Sequence, residues 1–210
     1  MSRRLRYQVA VTLDGFIAGP DGEYDWIVED PTIDMGALFR EFDAVVMGRK
    51  TYDTMRAQQD PPSMPGVDVV VFSRSLPSTS ANGMRITSED PREVVAALKQ
   101  ERGKDIWLFG GGELFRTLLD AGLVDTVELA VMPVMIGSGI PVLPGGARTK
   151  LELADQKRLP SCITVLAYSV SGSRGPAPRI RWIKPAKKQA KKRAKRSATR
   201  KSTARRGRKR

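Results

Sequence analysis

The stretch WLFGGGELFRTLLDAG, from Trp107 to Gly122, joins a predicted strand directly to a predicted helix. The strand is the apolar run that ends at Gly110, the first of three consecutive glycines. Beyond the glycines, apolar side chains recur at the spacing of one helix face, at Leu114, Phe115, Leu118 and Leu119. Gly122 suits the end of that helix. A strand that passes into a helix without a linker is typical of α/β proteins.

Other strand and helix patterns alternate along the chain in the same way. Apolar runs predict strands over residues 5–12, 43–48 and 67–73. Helix starts are predicted at Asp30-Pro31 and Asp90-Pro91, where an N-cap residue precedes a proline at the first helical position. The first of these helices is expected to present one apolar face made by Met35, Leu38, Phe39 and Phe42. Such alternation predicts a mostly parallel sheet with helices on both faces.

The last strand pattern differs from the others. Residues 151–159 and 162–170 flank Pro160-Ser161 with no helix between them. They predict a C-terminal antiparallel hairpin, which makes the sheet mixed at one edge.

The composition separates a nearly neutral body from a cationic C-terminal segment. Residues 184–210 hold 15 of the 36 Lys and Arg residues and no acidic residue, so 21 basic side chains face 23 acidic ones elsewhere. We expect a globular domain over residues 1–183. Residues 184–210 have no apolar periodicity, and we expect them to form a disordered tail.

Two residue counts exclude several kinds of site. The chain has no histidine, which rules out Ser-His-Asp triads, Cys-His pairs and His-ligated zinc, and no pattern marks any other metal site. Cys162 is the single cysteine, so no internal disulfide can form and a cytoplasmic location is expected. The longest apolar stretch, residues 123–136, is interrupted by Asp125 and Glu128, so we expect no membrane span.

The cationic tail suggests a nucleic-acid partner. Its Lys and Arg residues could neutralise several phosphates and give salt-sensitive, sequence-independent binding to DNA or RNA, placing the protein at the nucleoid. The tail has no aromatic residue with which to stack on bases. One alternative is a nucleic-acid-associated protein whose body binds a cofactor without catalysing a reaction. The other is a solvated tail without a partner.

The three glycines lie where an open α/β sheet binds its ligands, beyond the carboxyl end of a strand. Glycines let the main chain approach a ligand closely, and free N–H groups at a helix start attract a phosphate. The motif matches neither a Walker A loop nor the dinucleotide fingerprint. A tight turn without a ligand remains the alternative reading.

Two further strand ends carry groups suited to phosphate. Gly48, Arg49, Lys50 and Thr51 follow the second predicted strand and open a helix. The run Ser73-Arg74-Ser75 follows the third strand and offers hydroxyl donors beside a forked guanidinium donor. Each arginine could instead be a solvated surface charge. Because parallel strands place these ends on one rim, the three turns together predict a site for a phosphate-bearing nucleotide.

Five pieces of the sequence, taken together, resemble the dihydrofolate reductase family. The resemblance is closer to stand-alone relatives of the reductase domain of bacterial riboflavin biosynthesis. The pieces are VAVTLDGFIAGPDGEYDWI, EFDAVVMGRKTYDTM, VVVFSRSL, DIWLFGGGELFRTLLDAGLVDTVELAVMPVMIGSGIPVL and ITVLAYSV. The resemblance implies a three-layer dihydrofolate-reductase-like fold and a homodimer.

The resemblance also implies an NADPH site across the carboxyl edge of the sheet. The glycine turn would line the pyrophosphate, and the second turn would hold the adenosine-side phosphates. The third turn would contact the 2′-phosphate, which favours NADPH over NADH, and Ala18 would lie against the nicotinamide. The residues thus implied are Ala18, Gly48, Arg49, Lys50, Thr51, Ser73, Arg74, Gly110, Gly111, Gly112 and Glu113.

The implied activity is an NADPH-dependent reduction of a small heterocycle of the pterin or pyrimidine kind. Asp34 is the candidate for a substrate-facing carboxylate, and an exposed acid in a first helical turn is the alternative. Trp26 could line the substrate cleft or belong to the core. Asp14 is expected to hydrogen-bond its own backbone in a turn.

Overall fold

The computed structural model describes residues 3–58 and 66–172, which form a nine-stranded mixed sheet and a small two-stranded sheet. The strand order in the large sheet is β10-β11-β8-β1-β7-β3-β4-β6-β5. Five neighbouring pairs are parallel, whereas β11 pairs antiparallel with β8, as do β10 with β11 and β5 with β6. The strands are β1 (Leu5–Thr12), β2 (Phe16–Ala18), β3 (Phe42–Gly48), β4 (Asp68–Phe72), β5 (Thr79–Ala81), β6 (Met84–Thr87), β7 (Asp105–Gly110), β8 (Thr126–Met132), β9 (Ile140–Pro141), β10 (Leu151–Arg158) and β11 (Thr164–Val170).

In the described part of the chain, four helices cover the two faces of the large sheet. They are α1 (Met35–Phe39), α2 (Arg49–Gln58), α3 (Pro91–Gln100) and α4 (Gly112–Asp120). Apolar residues of α3 and α4 pack with one set of strand side chains, and those of α1 and α2 pack with the opposite set. The predicted α/β architecture, with its mostly parallel mixed sheet, helices on both faces and C-terminal hairpin, is confirmed.

The helix that follows the three glycines is amphipathic, as its sequence predicts. Leu114, Phe115, Leu118 and Leu119 are buried, and Phe115 stacks on Tyr7 of β1 with ring centroids 3.8 Å apart. Gly122 follows the helix with φ +67°, a conformation in which a side chain is strained. Burial of this face fixes the start of α4 immediately beyond the end of β7.

The predicted helix start at Asp30-Pro31 is wrong. The helix begins only after Asp34, whose Oδ1 accepts a hydrogen bond from the Ala37 N–H at 2.9 Å, and Phe42 belongs to β3. Asp30 is buried, and its carboxylate accepts from the N–H and hydroxyl of Thr32 and from the Ser161 N–H at 3.0 Å. Asp30 thus links the loop after β2 to the turn between β10 and β11. Sequence reasoning missed this because the partner lies 131 residues away.

The hydrogen bonds of Asp30 predict a pH-dependent stability. Those from Ser161 and Thr32 hold the pKa of its carboxyl well below its ordinary value of 3.8. A carboxyl whose pKa is lower in the folded state stabilises the fold above the unfolded pKa, and this contribution is lost as the pH falls through 4 and below. We expect Asp30→Asn to lower Tm by several degrees at pH 7 and by less at pH 3, in thermal unfolding scans at both values. An equal loss at the two pH values would contradict the assignment.

Two pairs of short strands were not predicted from the sequence. Strands β5 and β6 form a hairpin closed by Asn82 and Gly83, both with positive φ, which is the geometry of a two-residue hairpin turn. Strands β2 and β9 pair antiparallel across the loops that follow β1 and β8. These strands have two to four residues each, too few to show a periodic pattern.

The predicted domain boundary at residue 183 and the tail over residues 184–210 lie outside the described residues. Within the described part of the chain, no helix combines the length and the apolar character needed to cross a membrane.

Candidate functional site

The three turns singled out in the sequence lie side by side at one edge of the sheet. Strands β7, β3 and β4 are consecutive neighbours and run parallel, so their carboxyl ends meet at the same edge. Met47 pairs with Gly110, and Gly48 pairs with Phe72. The juxtaposition predicted for a nucleotide site is therefore present, and we call it the nucleotide edge, comprising residues 48–51, 73–75 and 110–113.

The first two glycines of the run lie against the start of α2. A methyl group on Gly110 would stand 3.2 Å from Thr51 Oγ1, and one on Gly111 would stand 3.5 Å from the same atom. A methyl group on Gly48 would be 3.9 Å from the Gly111 nitrogen. Gly110 has φ +152°, which a residue with a side chain rarely adopts, and its peptide bond to Gly111 is cis. Two helix starts thus lie close together at the nucleotide edge.

The third glycine is required by the protein's own packing. Gly112 is buried, and a methyl group on it would lie 2.9 Å from the Pro141 carbonyl oxygen and 3.0 Å from Pro144 Cδ. Arg116 holds the same loop on α4 by donating to the Pro144 and Ala147 carbonyls. The close packing of the loop at Pro141–Pro144 therefore requires a glycine at position 112, whether or not a ligand binds.

The cations of the nucleotide edge differ in how much they are already engaged. Arg49 donates to the Asp53 carboxylate at 2.6 Å and to Ser75 Oγ at 3.0 Å, which joins α2 to the turn after β4. Lys50 and Arg74 are exposed, and their charged groups have no partner among the described residues. Lys50 and Arg74 are thus the cations at this edge whose charge is available to an anionic ligand.

The remaining predicted cofactor residues supply main-chain and hydroxyl groups. Ser73 is buried and its hydroxyl oxygen accepts from the N–H groups of Ser75 and Leu76, so its hydroxyl proton remains available. Glu113 lies in the exposed first turn of α4. Because a carboxylate repels a phosphate, its contribution to such a ligand would come from the main chain. Ala18 ends β2, and its carbonyl oxygen would lie 2.2 Å from a methyl group on Gly139.

Asp34 and Trp26, the predicted catalytic and substrate residues, both make contacts within the fold. Asp34 caps α1, and its other carboxylate oxygen lies 3.9 Å from the Arg40 guanidinium. No described contact brings Asp34 to the nucleotide edge, so its catalytic role stays a prediction. Trp26 is half-buried and packs on an apolar cluster formed by Met132, Leu159, Ile163 and Val165.

Two half-exposed alanines on neighbouring central strands were not predicted. Ala10 of β1 and Ala130 of β8 are adjacent in register and share the face covered elsewhere by α1 and α2. Both are half-buried in the middle of a nine-stranded sheet, where full burial is usual. Next to them lie Gln8 and Glu128, which also pair in register. We call these four residues the alanine floor.

A buried ion pair includes Glu128 of the alanine floor. Arg6 is 2% exposed and Glu128 is fully buried, and two parallel N–H···O bonds of 2.8 Å join them. Arg6 also donates to Glu41 at 2.6 Å. Burial acts to lower the pKa of the guanidinium, but hydrogen bonding and attraction to Glu128 and Glu41 outweigh it and hold that pKa above its usual value. In the sequence, this pair is visible only as Arg6 and Glu128, two charged residues within otherwise apolar strand patterns.

Asp14 lies in the turn after β1 and also joins that turn to the loop after β8. Its Oδ2 accepts from the N–H groups of Ile136 and Gly137 at 3.0 and 2.8 Å. Hydrogen bonds from Thr12 and from the Gly137 main chain hold the pKa of its carboxyl below the usual range. The expected turn is present, and a hydrogen bond from the main chain of Asp14 itself also lowers this pKa. The contacts with the loop after β8, which lies beside β1 in the sheet, were not predicted.

A metal site needs several ligating side chains close together. In residues 3–58 and 66–172, no three His, Cys, Asp or Glu side chains gather in a way that could hold an ion.

Sequence comparisons give the site a family context. Residues 3–165 match the model of the RibD C-terminal domain. The uncharacterised protein YyaP of Bacillus subtilis (strain 168) is 32% identical over 182 residues, which cover 81% of this chain and 96% of YyaP. The riboflavin biosynthesis protein RibD of Mycobacterium tuberculosis (strain H37Rv) is 27% identical over 153 residues, covering 64% of this chain. The match spans 43% of that RibD, so less than half of its length has a counterpart here.

Solved structures show the same fold at low identity. A candidate riboflavin biosynthesis protein from Shewanella sp. PV-4 superposes with a TM-score of 0.68 at 22% identity, covering 81% of this chain and 99% of the other. A pyrimidine reductase-like protein from Corynebacterium diphtheriae gives a TM-score of 0.58 at 18% identity, covering 80% and 92%. The resemblance stated from the sequence is thereby confirmed at the level of family and fold.

Proposed function

This chain belongs to the RibD C-terminal domain family, and from that membership we propose that it is an NADPH-dependent reductase of a small, planar heterocycle. The observation that carries the proposal is the nucleotide edge, where three strand ends bring together two helix starts and two exposed cations without a partner among the described residues. The alanine floor lies on the strands next to that edge.

The residues of the nucleotide edge fit the phosphates of NADPH. Gly111 is half-exposed, and a side chain there would meet only Thr51 Oγ1, so its main chain can be approached closely. Lys50 offers a point charge at the start of α2, where main-chain N–H groups are free. Arg74 offers a forked donor that suits the 2′-phosphate, with the Ser73 hydroxyl beside it.

The chemistry divides between cofactor and protein. NADPH, when bound, supplies the hydride. The nucleotide edge orients the cofactor, and the pairing of β2 with β9 holds Ala18 beside the loop that follows β8. The alanine floor supports a flat substrate, because its two small side chains leave room on the sheet. Holding both reactants in one geometry removes much of the entropic barrier to transfer.

The product proton comes from solvent or from Asp34, the predicted substrate-facing carboxylate. Glu128 is fully buried and bound to Arg6, so its carboxylate is committed to an ion pair. Asp14 has a lowered pKa and is ionised near neutral pH, so it has no proton to give. Neither carboxylate therefore acts as the general acid.

Replacing Arg74 tests the cofactor assignment. We expect Arg74→Ala to weaken NADPH binding about tenfold or more and to leave NADH binding nearly unchanged, because only NADPH carries the 2′-phosphate. Titration followed by nicotinamide fluorescence measures both affinities.

Arg102→Ala is the matched control, since Arg102 is exposed in the loop before β7, at the opposite edge of the sheet. Equal losses for the two cofactors would refute the role of Arg74. The absence of saturable NADPH binding to the unmodified protein would refute the reductase itself.

A further inference from the structure

Strand β10 forms an open edge of the large sheet. It lies at one end of the strand order, and β11 is its one neighbour among the described strands. Seven of its eight residues are exposed, whereas the strand at the opposite edge, β5, has three residues in all. A long, exposed edge strand presents a row of main-chain N–H and C=O groups that a strand of another chain can pair with.

Two exposed leucines place an apolar surface beside this edge. Leu151 is 37% exposed and Leu153 is 53% exposed, and both lie on the same face of β10. The surface continues inward through Tyr168, which pairs with Leu153, and through Leu166 and Leu129, which pair with each other and are half-buried. Helices α3 and α4 pack on this face farther along the sheet, over the central strands. The outer part of the face is therefore open and favours association.

The charges of β10 are separated by sign along the strand. Glu152 and Asp155 come first, and Lys157 and Arg158 end the strand. Glu152 and Lys157 have no charged partner in the part of the chain that the structure describes. Charges of a single sign along an edge strand would repel a second copy. Here a two-fold rotation brings the acidic end of one strand opposite the basic end of the other, so β10 is complementary to an antiparallel copy of itself.

A β-bulge in β10 fixes the register of such a pairing. In a regular strand, Glu152 and Lys157 would point to opposite faces, because an odd number of positions separates them. The register of β10 against β11 shifts at Ala154, so Glu152 pairs with Ser169 and Lys157 pairs with Val165. Ser169 and Val165 are four positions apart on β11, which puts Glu152 and Lys157 on one face. The two opposite charges can therefore meet directly across an antiparallel pair of β10 strands.

We propose that two copies of this chain associate by antiparallel pairing of their β10 strands across a two-fold axis, with Glu152 opposite Lys157 of the partner subunit. This register uses the whole of β10 and joins the two nine-stranded sheets into one. It also places the exposed leucines of both copies on the same face of the joined sheet. Three strands separate β10 from β7, so the nucleotide edge of each copy stays open. The homodimer expected from the sequence thereby acquires a specific surface and register.

Charge reversal tests this interface. Sedimentation velocity of the full chain, over a micromolar concentration series, measures the dissociation constant of the dimer. Glu152→Lys and Lys157→Glu each place like charges opposite one another twice across the axis. We expect each variant alone to raise the dissociation constant about tenfold or more. Arg102→Glu, in the exposed loop before β7, is the matched control and should leave it unchanged.

Mixing the two variants tests the antiparallel register. When a copy that carries Glu152→Lys meets a copy that carries Lys157→Glu, each reversed charge lies opposite a charge of the other sign. We therefore expect the equimolar mixture to form a heterodimer about as tight as the unmodified dimer, although each variant alone dissociates. Both positions are exposed, so thermal unfolding should show that each variant keeps its fold.

Several outcomes would overturn this interface. A protein that stays monomeric throughout the concentration series refutes it, as does a dimer whose dissociation constant is unchanged in both single variants. A mixture that fails to associate refutes the register. A charge reversal that lowers Tm without changing the sedimentation coefficient would show instead that residues beyond Gly172 of the same chain cover β10.

Nicotinamide fluorescence on the same samples separates this inference from the proposed function. The β10 edge is remote from the nucleotide edge, so a dissociated variant should bind NADPH as the unmodified protein does. A dimer that fails to bind NADPH refutes the reductase alone. A monomer that binds NADPH refutes the interface alone.

Discussion

Glu128→Ala is expected to lower the free energy of unfolding by about 3–5 kcal/mol, because it leaves a buried arginine without its main partner. Arg6 is 2% exposed, and both of its 2.8 Å hydrogen bonds to Glu128 would be lost. Glu41 would still bind one guanidinium nitrogen, but it approaches from the partly exposed side. Urea denaturation at pH 7 gives the free energy directly.

A double replacement provides the control for Glu128→Ala. Arg6→Met combined with Glu128→Leu removes both charges and keeps apolar volume, so we expect it to recover most of the lost stability. Glu41 and Asp105, the other acceptors of Arg6, retain contact with solvent or with Arg4. A loss below about 1 kcal/mol in Glu128→Ala would show that the ion pair contributes little beyond its desolvation cost.

Two neighbouring glycines are expected to respond to alanine in opposite ways. Gly112→Ala should cost about 1–3 kcal/mol of stability, because the new methyl group would lie 2.9 Å from a main-chain oxygen of Pro141. Gly111→Ala should leave stability nearly unchanged, because its methyl group would meet only Thr51 Oγ1, at 3.5 Å. It should instead weaken NADPH binding about tenfold or more, by keeping the phosphates away from the main chain.

Thermal unfolding and NADPH titration of the same variants separate the two roles. Gly145→Ala is a suitable control, since a methyl group there would meet nothing within 4 Å. If Gly111→Ala bound NADPH normally, the close approach of a phosphate to this turn would be excluded. A fully stable Gly112→Ala would show that the loop at Pro141 can move aside.

The order of strands and helices was predictable because most of them bury apolar side chains that recur at a regular local spacing. Strand β1 was predicted with its observed bounds, and α3 begins at the predicted Asp90 cap. The failure at Asp30 has a physical cause as well. Aspartate before proline caps a turn as readily as a helix, and the contact with Ser161 decides between them.

The nucleotide edge was predictable for a related reason. Parallel strands bring their carboxyl ends to one side, so residues 48–51, 73–75 and 110–113 could be placed together from the strand pattern alone. Which of the cations in these turns form ion pairs within the protein could not be predicted from the sequence. Arg49 is paired with Asp53, whereas Arg74 has no partner in the part of the chain that the structure describes, and this depends on side-chain positions across two elements.

By itself, then, the sequence determined the α/β architecture, the family and the rim of turns suited to phosphate, because each depends on local periodicity or on glycine and cation placement. Only the tertiary structure decided which strands are neighbours. That choice brought Gln8 and Ala10 beside Glu128 and Ala130, and Asp14 beside Ile136, across more than a hundred residues of chain. Strand order is set by the packing of both sheet faces at once, and no local pattern records it.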